Sequence, residues 1–262
     1  MTLYPNQVLE NYMNHNALLN TAFKEVRQCC QHLLQGFDRL ATPQANKSDK
    51  ERFTSSIDAD IQHKLIAALK DKYPKHLFVA EEPSSESSQT LPEHSDVWVI
   101  DPIDGSNNYM HNVPTFTISM CYYFKGEKKA ALVYDPINDE LFTAIDGKGA
   151  LLNQHRIHGS KLDKLDLAFC GIEGKNDFHP DIENKVRTTR KLGCTSLTLC
   201  YLASGRFDIA ICQAPHLWDV AAGMLIAKEA GIHLMNQDLE PYQDGDDLLT
   251  GATPLLAKKL VK

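Results

Sequence analysis

The chain has no apolar run long enough to cross a bilayer, and no N-terminal segment that joins basic residues to a long apolar stretch. A membrane partner is therefore not expected, and a cytoplasmic location is. Excess positive charge is also missing: 27 Lys and Arg stand against 34 Asp and Glu, giving a formal net charge of −7 that argues against nucleic acid as a general partner. The seven cysteines form neither an even disulfide framework nor a paired zinc spacing, and no two of the eleven histidines sit at the spacing of a helical zinc motif. Internal repeats and low-complexity segments are absent too. A globular chain of 262 residues remains, long enough to bury a substantial core.

What the chain does have is acid placed where strands end. The apolar run Val97-Trp98-Val99-Ile100 reads as a buried strand, and it leads directly into Asp101-Pro102-Ile103-Asp104-Gly105-Ser106. Two carboxylates so close raise each other's pKa unless a cation lies between them. A hard divalent ion such as magnesium suits oxygen donors of this kind. Pro102 restrains the backbone between the acids, Gly105 permits a tight turn, and Ser106 adds a hydroxyl. The same residues also read as an ordinary strand exit and turn.

Two further acid clusters bear on that choice. Phe78-Val79-Ala80-Glu81-Glu82 is a second short apolar segment ending in carboxylates, followed by a polar loop to Ser95. By themselves Glu81 and Glu82 read as a solvated pair. Residues 218–231 carry helical apolar spacing closed by Gly231, with Asp219 at the start of the helix. Taken alone, Asp219 reads as an N-cap favoured by the helix dipole.

Together the three clusters resemble the inositol monophosphatase family of magnesium-dependent, lithium-sensitive phosphatases. Ala80-Glu81-Glu82 is similar to the family's Gly-Glu-Glu, and Asp101 to Ser106 to its Asp-Pro-Ile/Leu-Asp-Gly-Thr. Trp218-Asp219-Val220-Ala221-Ala222-Gly223 is similar to its Trp-Asp-x-Ala-Ala-Gly. The likeness runs from about Lys47 to about Glu240 and includes residues 107–114 and 193–208.

The resemblance implies Glu81, Asp101 and the Ile103 carbonyl as ligands of a first magnesium, and Asp101, Asp104 and Asp219 as ligands of a second. A weaker third ion would sit near Glu81. It further implies that Glu81 and a Ser106–Asp58 pair orient a nucleophilic water, so no cysteine is needed for catalysis. Phosphate oxygens are expected on the backbone N–H groups of Gly105 and Ser106 and at the turn before Thr195, with Asp104 and Asp219 also near the substrate. Lys47 lies at the spacing of the family's loop lysine and reads equally as a solvated side chain, and His216 is near enough to Trp218 to touch substrate. The implied activity is hydrolysis of a small phosphate monoester, inositol monophosphate first, by a homodimer.

Departures from the pattern widen the choice of ester. Six residues before Trp218, where inositol phosphatases carry a Glu that binds ring hydroxyls, stands Cys212, and a thiol is a poor partner for a polyol. Arg52 replaces another family acid six residues before Asp58. Fructose bisphosphate, histidinol phosphate and a nucleotide bisphosphate are the alternatives within the superfamily. A catalytically silent metabolite-binding or regulatory module is the alternative of another class.

The element pattern mixes helices and strands. Helices are expected over residues 3–40, bounded by Pro5 and Gly36, and over 57–72; strands follow at Glu81 and Asp101. Residues 115–124, 129–134 and 140–145 read as an antiparallel meander. Further on come a strand near 167–171, helices over 181–191 and 195–204, a strand over 207–212 and the Asp219 helix. The expected fold is α/β of mixed α+β character, the layered αβαβα sandwich of the inositol monophosphatase and fructose-1,6-bisphosphatase type. One phosphatase domain is expected over 1–262, with the meander in residues 1–150 and Asp219 supplied by residues 151–262.

Overall fold

The computed structural model describes residues 5–41, 47–88, 90–92, 95–174, 182, 184–213 and 215–260, with side chains from residue 15 onward. Two long helices come first, α1 (Pro5–Leu40) and α2 (Lys47–Lys72). The seven-stranded sheet follows in chain order: β1 (Leu77–Ala80), β2 (Asp96–Asp104), β3 (Thr117–Phe124), β4 (Glu127–Asp135), β5 (Glu140–Ile145), β6 (Gly149–Leu152) and β7 (His155–Ile157). The short helix α3 (Ser106–Met110) lies between β2 and β3. Pairing is parallel for β1 with β2 and antiparallel for every later neighbour.

A five-stranded sheet is built from β8 (Phe169–Glu173), β9 (Thr188–Arg190), β10 (Ile209–Gln213), β11 (His233–Met235) and β12 (Leu248–Ala252), in the order β11-β12-β10-β8-β9. Between the sheets lie α4 (Thr195–Ala203) and α5 (Leu217–Glu229), and α6 (Pro254–Leu260) ends the described chain.

Alternation along the strands sorts these elements into layers. In β2, Trp98 and Ile100 join the core beneath α1 and α2, whereas Val97 and Val99 join the core around α4 and α5. In β10, Ala210 and Cys212 face that same middle core, and Ile209 and Ile211 face a third core that includes Leu256 of α6. Helix, sheet, helix, sheet, helix is therefore the stacking order, the expected αβαβα sandwich. Both middle helices are buried along most of their length, continuously over Val220–Ala227 in α5, which is why their sequences are apolar rather than amphipathic. Among the described residues no helix is long and apolar enough to cross a membrane.

Several boundaries differ from expectation for identifiable reasons. Helix α1 runs through Gly36 to Leu40; the glycine makes room for the Tyr109 hydroxyl, which donates to Leu33 O at 2.8 Å. Helix α2 starts ten residues before Ile57, because its first turns are polar and exposed and carry no apolar period. Part of the helix expected over 181–191 lies outside the described residues. Its end is instead strand β9, where Thr188 and Thr189 pair in parallel with β8. The short strands β6, β7, β11 and β12 and helix α6 carried no pattern strong enough to predict them.

Candidate active site

The carboxyl ends of β1 and β2 form the floor of the site. Ala80 pairs with Ile100, so Glu81 emerges beside Asp101. In a regular strand Asp101 and Asp104 would point to opposite faces. Here three steps from Asp101 to Asp104 oppose two steps from Ser119 to Thr117 on β3, a bulge that turns both acids toward one cavity. Asp101 Oδ1 accepts the Ile103 N–H at 3.0 Å across Pro102. Gly105 then takes φ 94°, carrying the chain into α3.

Asp219 arrives from the other half of the chain. It is the third residue of α5 rather than its N-cap, a position held by His216, and its Oδ2 accepts the His216 N–H at 3.0 Å. Ser119, the β3 partner of Asp101, donates to Trp218 O at 3.2 Å and so ties the start of α5 to the acids of β2.

A cavity of about 190 Å³ is lined by Glu81, Asp101, Ile103, Asp104, Gly105, Ser106, Thr195, His216 and Asp219, together with Asn107 and Gly193. A neighbouring cavity, also about 190 Å³, shares Glu81, Ser106 and Asn107 and is lined on its far side by Asp58 and Thr54 of α2. Asp58 Oδ1 and Thr54 Oγ1 are buried without a hydrogen-bond partner. Two candidates lie elsewhere: Lys47 is exposed and pairs with Glu51 at 3.9 Å, and Cys212 is buried in the middle core.

The acids are held against their own chemistry. Burial, then the charges of Asp104, Glu81 and Asp219, push Asp101 well above the usual carboxylate range. Burial and the Asp219 charge push Glu81 up to about 7, and burial and the Asp104 charge push Asp219 up to about 6. Asp58 is pushed up to about 9 by burial and then by Glu81 and Glu82.

Hard oxygen donors, crowded and short of compensating charge, fit a divalent cation such as magnesium in chemical type. Among the described residues no three His, Cys, Asp or Glu side chains already stand in a metal-holding cluster. Several of these oxygens are already engaged: Asp101 accepts the Ile103 N–H, Asp219 the His216 N–H, and Asp104 the N–H groups at the start of α4. Binding would exchange some of these contacts for metal coordination within the shared cavity.

Asp104 is the most constrained of the four. It accepts the Thr195 N–H at 3.1 Å, the Ser196 N–H at 2.6 Å, the Ser196 hydroxyl at 2.5 Å and the Cys194 thiol at 3.3 Å. The Thr195 amide expected to hold phosphate is thus already bonded to Asp104, because an acid at a helix N-terminus is the natural partner of its free N–H groups. The Thr195 side chain still lines the cavity.

The model of the inositol monophosphatase family matches residues 14–261. The chain belongs to this family. Family relatives include the putative Nus factor SuhB of Neisseria meningitidis, 33% identical over 94% of this chain and 97% of that protein. The Nus factor SuhB of Escherichia coli is 31% identical over 82% of this chain and 83% of its own length. Among solved structures, the Thermotoga maritima IMPase superposes with a TM-score of 0.80 at 26% identity, covering 94% of this chain and 95% of that one. The extragenic suppressor protein SuhB of Bartonella henselae gives a TM-score of 0.80 at 24% identity over 94% of this chain and 97% of its own, a likeness of fold.

Sequence reasoning missed Thr54, Ser196 and Asn107. Ser196 was legible only as the second residue of an expected helix, and Asn107 only as part of an Asn-rich continuation. Thr54 fell before the expected start of α2.

Proposed function

We propose that this protein hydrolyses a small phosphate monoester of the inositol monophosphate type with magnesium, using a water as nucleophile. The observation that carries the reading is the meeting of Glu81, Asp101, Asp104 and Asp219 on one cavity beside Ser106. Family membership supports the same reaction class.

Magnesium, when bound by Glu81, Asp101, the Ile103 carbonyl, Asp104 and Asp219, would supply Lewis acidity toward water and the leaving oxygen. The chain's own groups do the remaining work. Ser106 and Glu81 border both cavities, so each can hold a water that lies between Asp58 and the ester. The unpartnered Asp58 Oδ1 and Thr54 Oγ1 offer that water hydrogen bonds. The turn at Gly105 brings the backbone close to the phosphate oxygens, and the first N–H groups of α3 have no preceding turn to bond. Asp104, held by α4, keeps its carboxylate at the cavity wall through the reaction.

A second reading is a Nus-factor role, as in the names of the SuhB relatives at 31–33% identity. Such a role does not exclude catalysis; the retained acid set weighs only against a catalytically silent metabolite-binding or regulatory module. One experiment separates hydrolysis from the catalytically silent alternative: phosphate release, with magnesium present, from inositol monophosphates, fructose bisphosphate, histidinol phosphate and a nucleotide bisphosphate. Lithium-sensitive turnover of any ester supports hydrolysis and ranks the substrates. A panel without turnover ends the enzymatic reading. The proposal includes one domain across both halves and a homodimer, for which sedimentation equilibrium is the measurement.

A further inference from the structure

The peptide units of Leu192 and Gly193, which immediately precede α4, are gripped from two sides by side chains outside the acid set. Glu173, at the end of β8, is buried to 6% exposure. Its Oε1 accepts the Leu192 N–H at 3.0 Å and the Thr198 hydroxyl at 2.6 Å, and its Oε2 accepts the Gly193 N–H at 3.0 Å. From the opposite half of the chain, the two N–H donors of Asn108 Nδ2 in α3 are shared among Leu192 O at 2.7 Å, Thr115 O at 2.8 Å and the more distant Gly193 O at 3.2 Å. Both N–H groups are thus held by one carboxylate, and both carbonyls by one amide.

The segment so fixed runs straight into the groups that hold Asp104. Two residues beyond Gly193 the Thr195 N–H bonds to Asp104, followed by the Ser196 N–H and hydroxyl. Gly193 has φ +69°, and a Cβ there would sit 3.0 Å from Asn108 Nδ2, so the loop has little freedom on that side. A Cβ at Gly105 would lie 3.2 Å from Gly193 O, which brings the same loop against the turn after Asp104. Burying a carboxylate as deeply as Glu173 is expensive, and only the three donors aimed at it make the arrangement tolerable.

We infer that Glu173 and Asn108 are positioning residues that act through residues 192–196 to set the Asp104 carboxylate for its ligand. Neither side chain lines the cavity. The inference rests on the magnesium-site reading for its functional consequence, but the clamp itself is a property of the metal-free chain. The residue types are those the geometry needs. A glutamine at 173 would turn an amide donor toward an N–H, and an aspartate at 108 would set negative charge against three carbonyl oxygens.

The test compares wild type, Glu173→Gln and Thr198→Val, the last removing one donor to Glu173 while leaving the carboxylate and both loop amides. Amide hydrogen exchange in the metal-free proteins should be roughly five- to tenfold faster at Thr195 and Ser196 in Glu173→Gln, with a smaller rise in Thr198→Val. Magnesium titration by calorimetry should give a dissociation constant raised roughly tenfold in Glu173→Gln. Leu256→Ala, in the distant α6 core, controls for general destabilisation and should leave that constant at its wild-type value. Unchanged exchange at Thr195 and Ser196 overturns the inference, as does faster exchange with a wild-type magnesium constant. If wild type itself binds no magnesium, the metal reading falls and the exchange comparison alone decides the clamp. Should Glu173→Gln fail to fold, Thr198→Val carries the same comparison.

Discussion

Ser196 Oγ donates to Asp104 Oδ2 at 2.5 Å and itself lies 2.7 Å from Thr117 Oγ1, so a helix start, an acid and a strand hydroxyl form one buried chain. Since the Ser196 proton goes to the carboxylate, Thr117 is the donor to Ser196. Ser196→Ala would leave the Thr117 hydroxyl with only the longer contact to the Cys194 thiol at 3.5 Å and remove one of the bonds on Asp104. The expected loss is about 1–3 kcal/mol in urea unfolding, accompanied by reduced phosphate release. Wild-type stability in the variant would show that the hydroxyl chain contributes nothing net.

Removing a carboxylate from the cluster should separate stability from activity. Asp101→Asn removes a carboxyl group whose ionised form is opposed by burial and by four acid neighbours, Asp104, Glu81, Asp219 and Asp58. In the presence of a chelator the variant should melt at a higher temperature than wild type. Phosphate release with magnesium should fall by roughly a hundredfold or more. Asp219→Asn is expected to behave in the same way, and undiminished turnover in both variants would remove these acids from the reaction.

The pH dependence of the metal-free protein follows from Asp58. Its folded pKa of about 9 lies above the ordinary value of 3.8, so the folded state binds this proton more firmly than the unfolded chain does. The associated stability is complete below about 4, declines as the pH rises, and is exhausted above about 9. Asp58→Asn, which has no proton to lose, should therefore match wild type near pH 4 and exceed it near pH 8. Melting temperatures with chelator at the two pH values measure the difference, and a constant gap between the proteins would contradict the assignment.

Glycine inside a helix is ordinarily replaced by alanine with a gain of about 1 kcal/mol. Gly36 of α1 should reverse that sign, because an added Cβ would run into the Tyr109 hydroxyl. Gly36→Ala is expected to lose about 1–3 kcal/mol by overpacking. Combining it with Tyr109→Phe, which deletes the colliding oxygen, should recover part of the loss. Urea unfolding of the two variants and the double variant checks the coupling.

The motifs around Glu81, Asp101 and Asp219 were legible because each is a short run of local chemistry: an apolar strand or helix that starts or stops at an acid. The layer order was legible only through the resemblance of those motifs to a known family; β2 and β10 are apolar on both faces, so which residue faces which layer was decided by the structure. Elements with no apolar period were not legible. The first turns of α2 are polar, and β9 is marked only by two threonines whose strand pairing depends on β8.

The linear order of residues by itself determined the acids that could gather and, through the resemblance their motifs carry, the family and the sandwich class that goes with it, because each motif lies within one strand end or one helix turn. Only the tertiary structure decided what each acid is bonded to. The β2 bulge that brings Asp101 and Asp104 to one cavity, the α4 N–H groups that claim Asp104, and the grip of Glu173 and Asn108 on Leu192 and Gly193 are pairings across long stretches of chain. Such contacts arise from how layers stack and where helices end, and no local pattern of residue types encodes them.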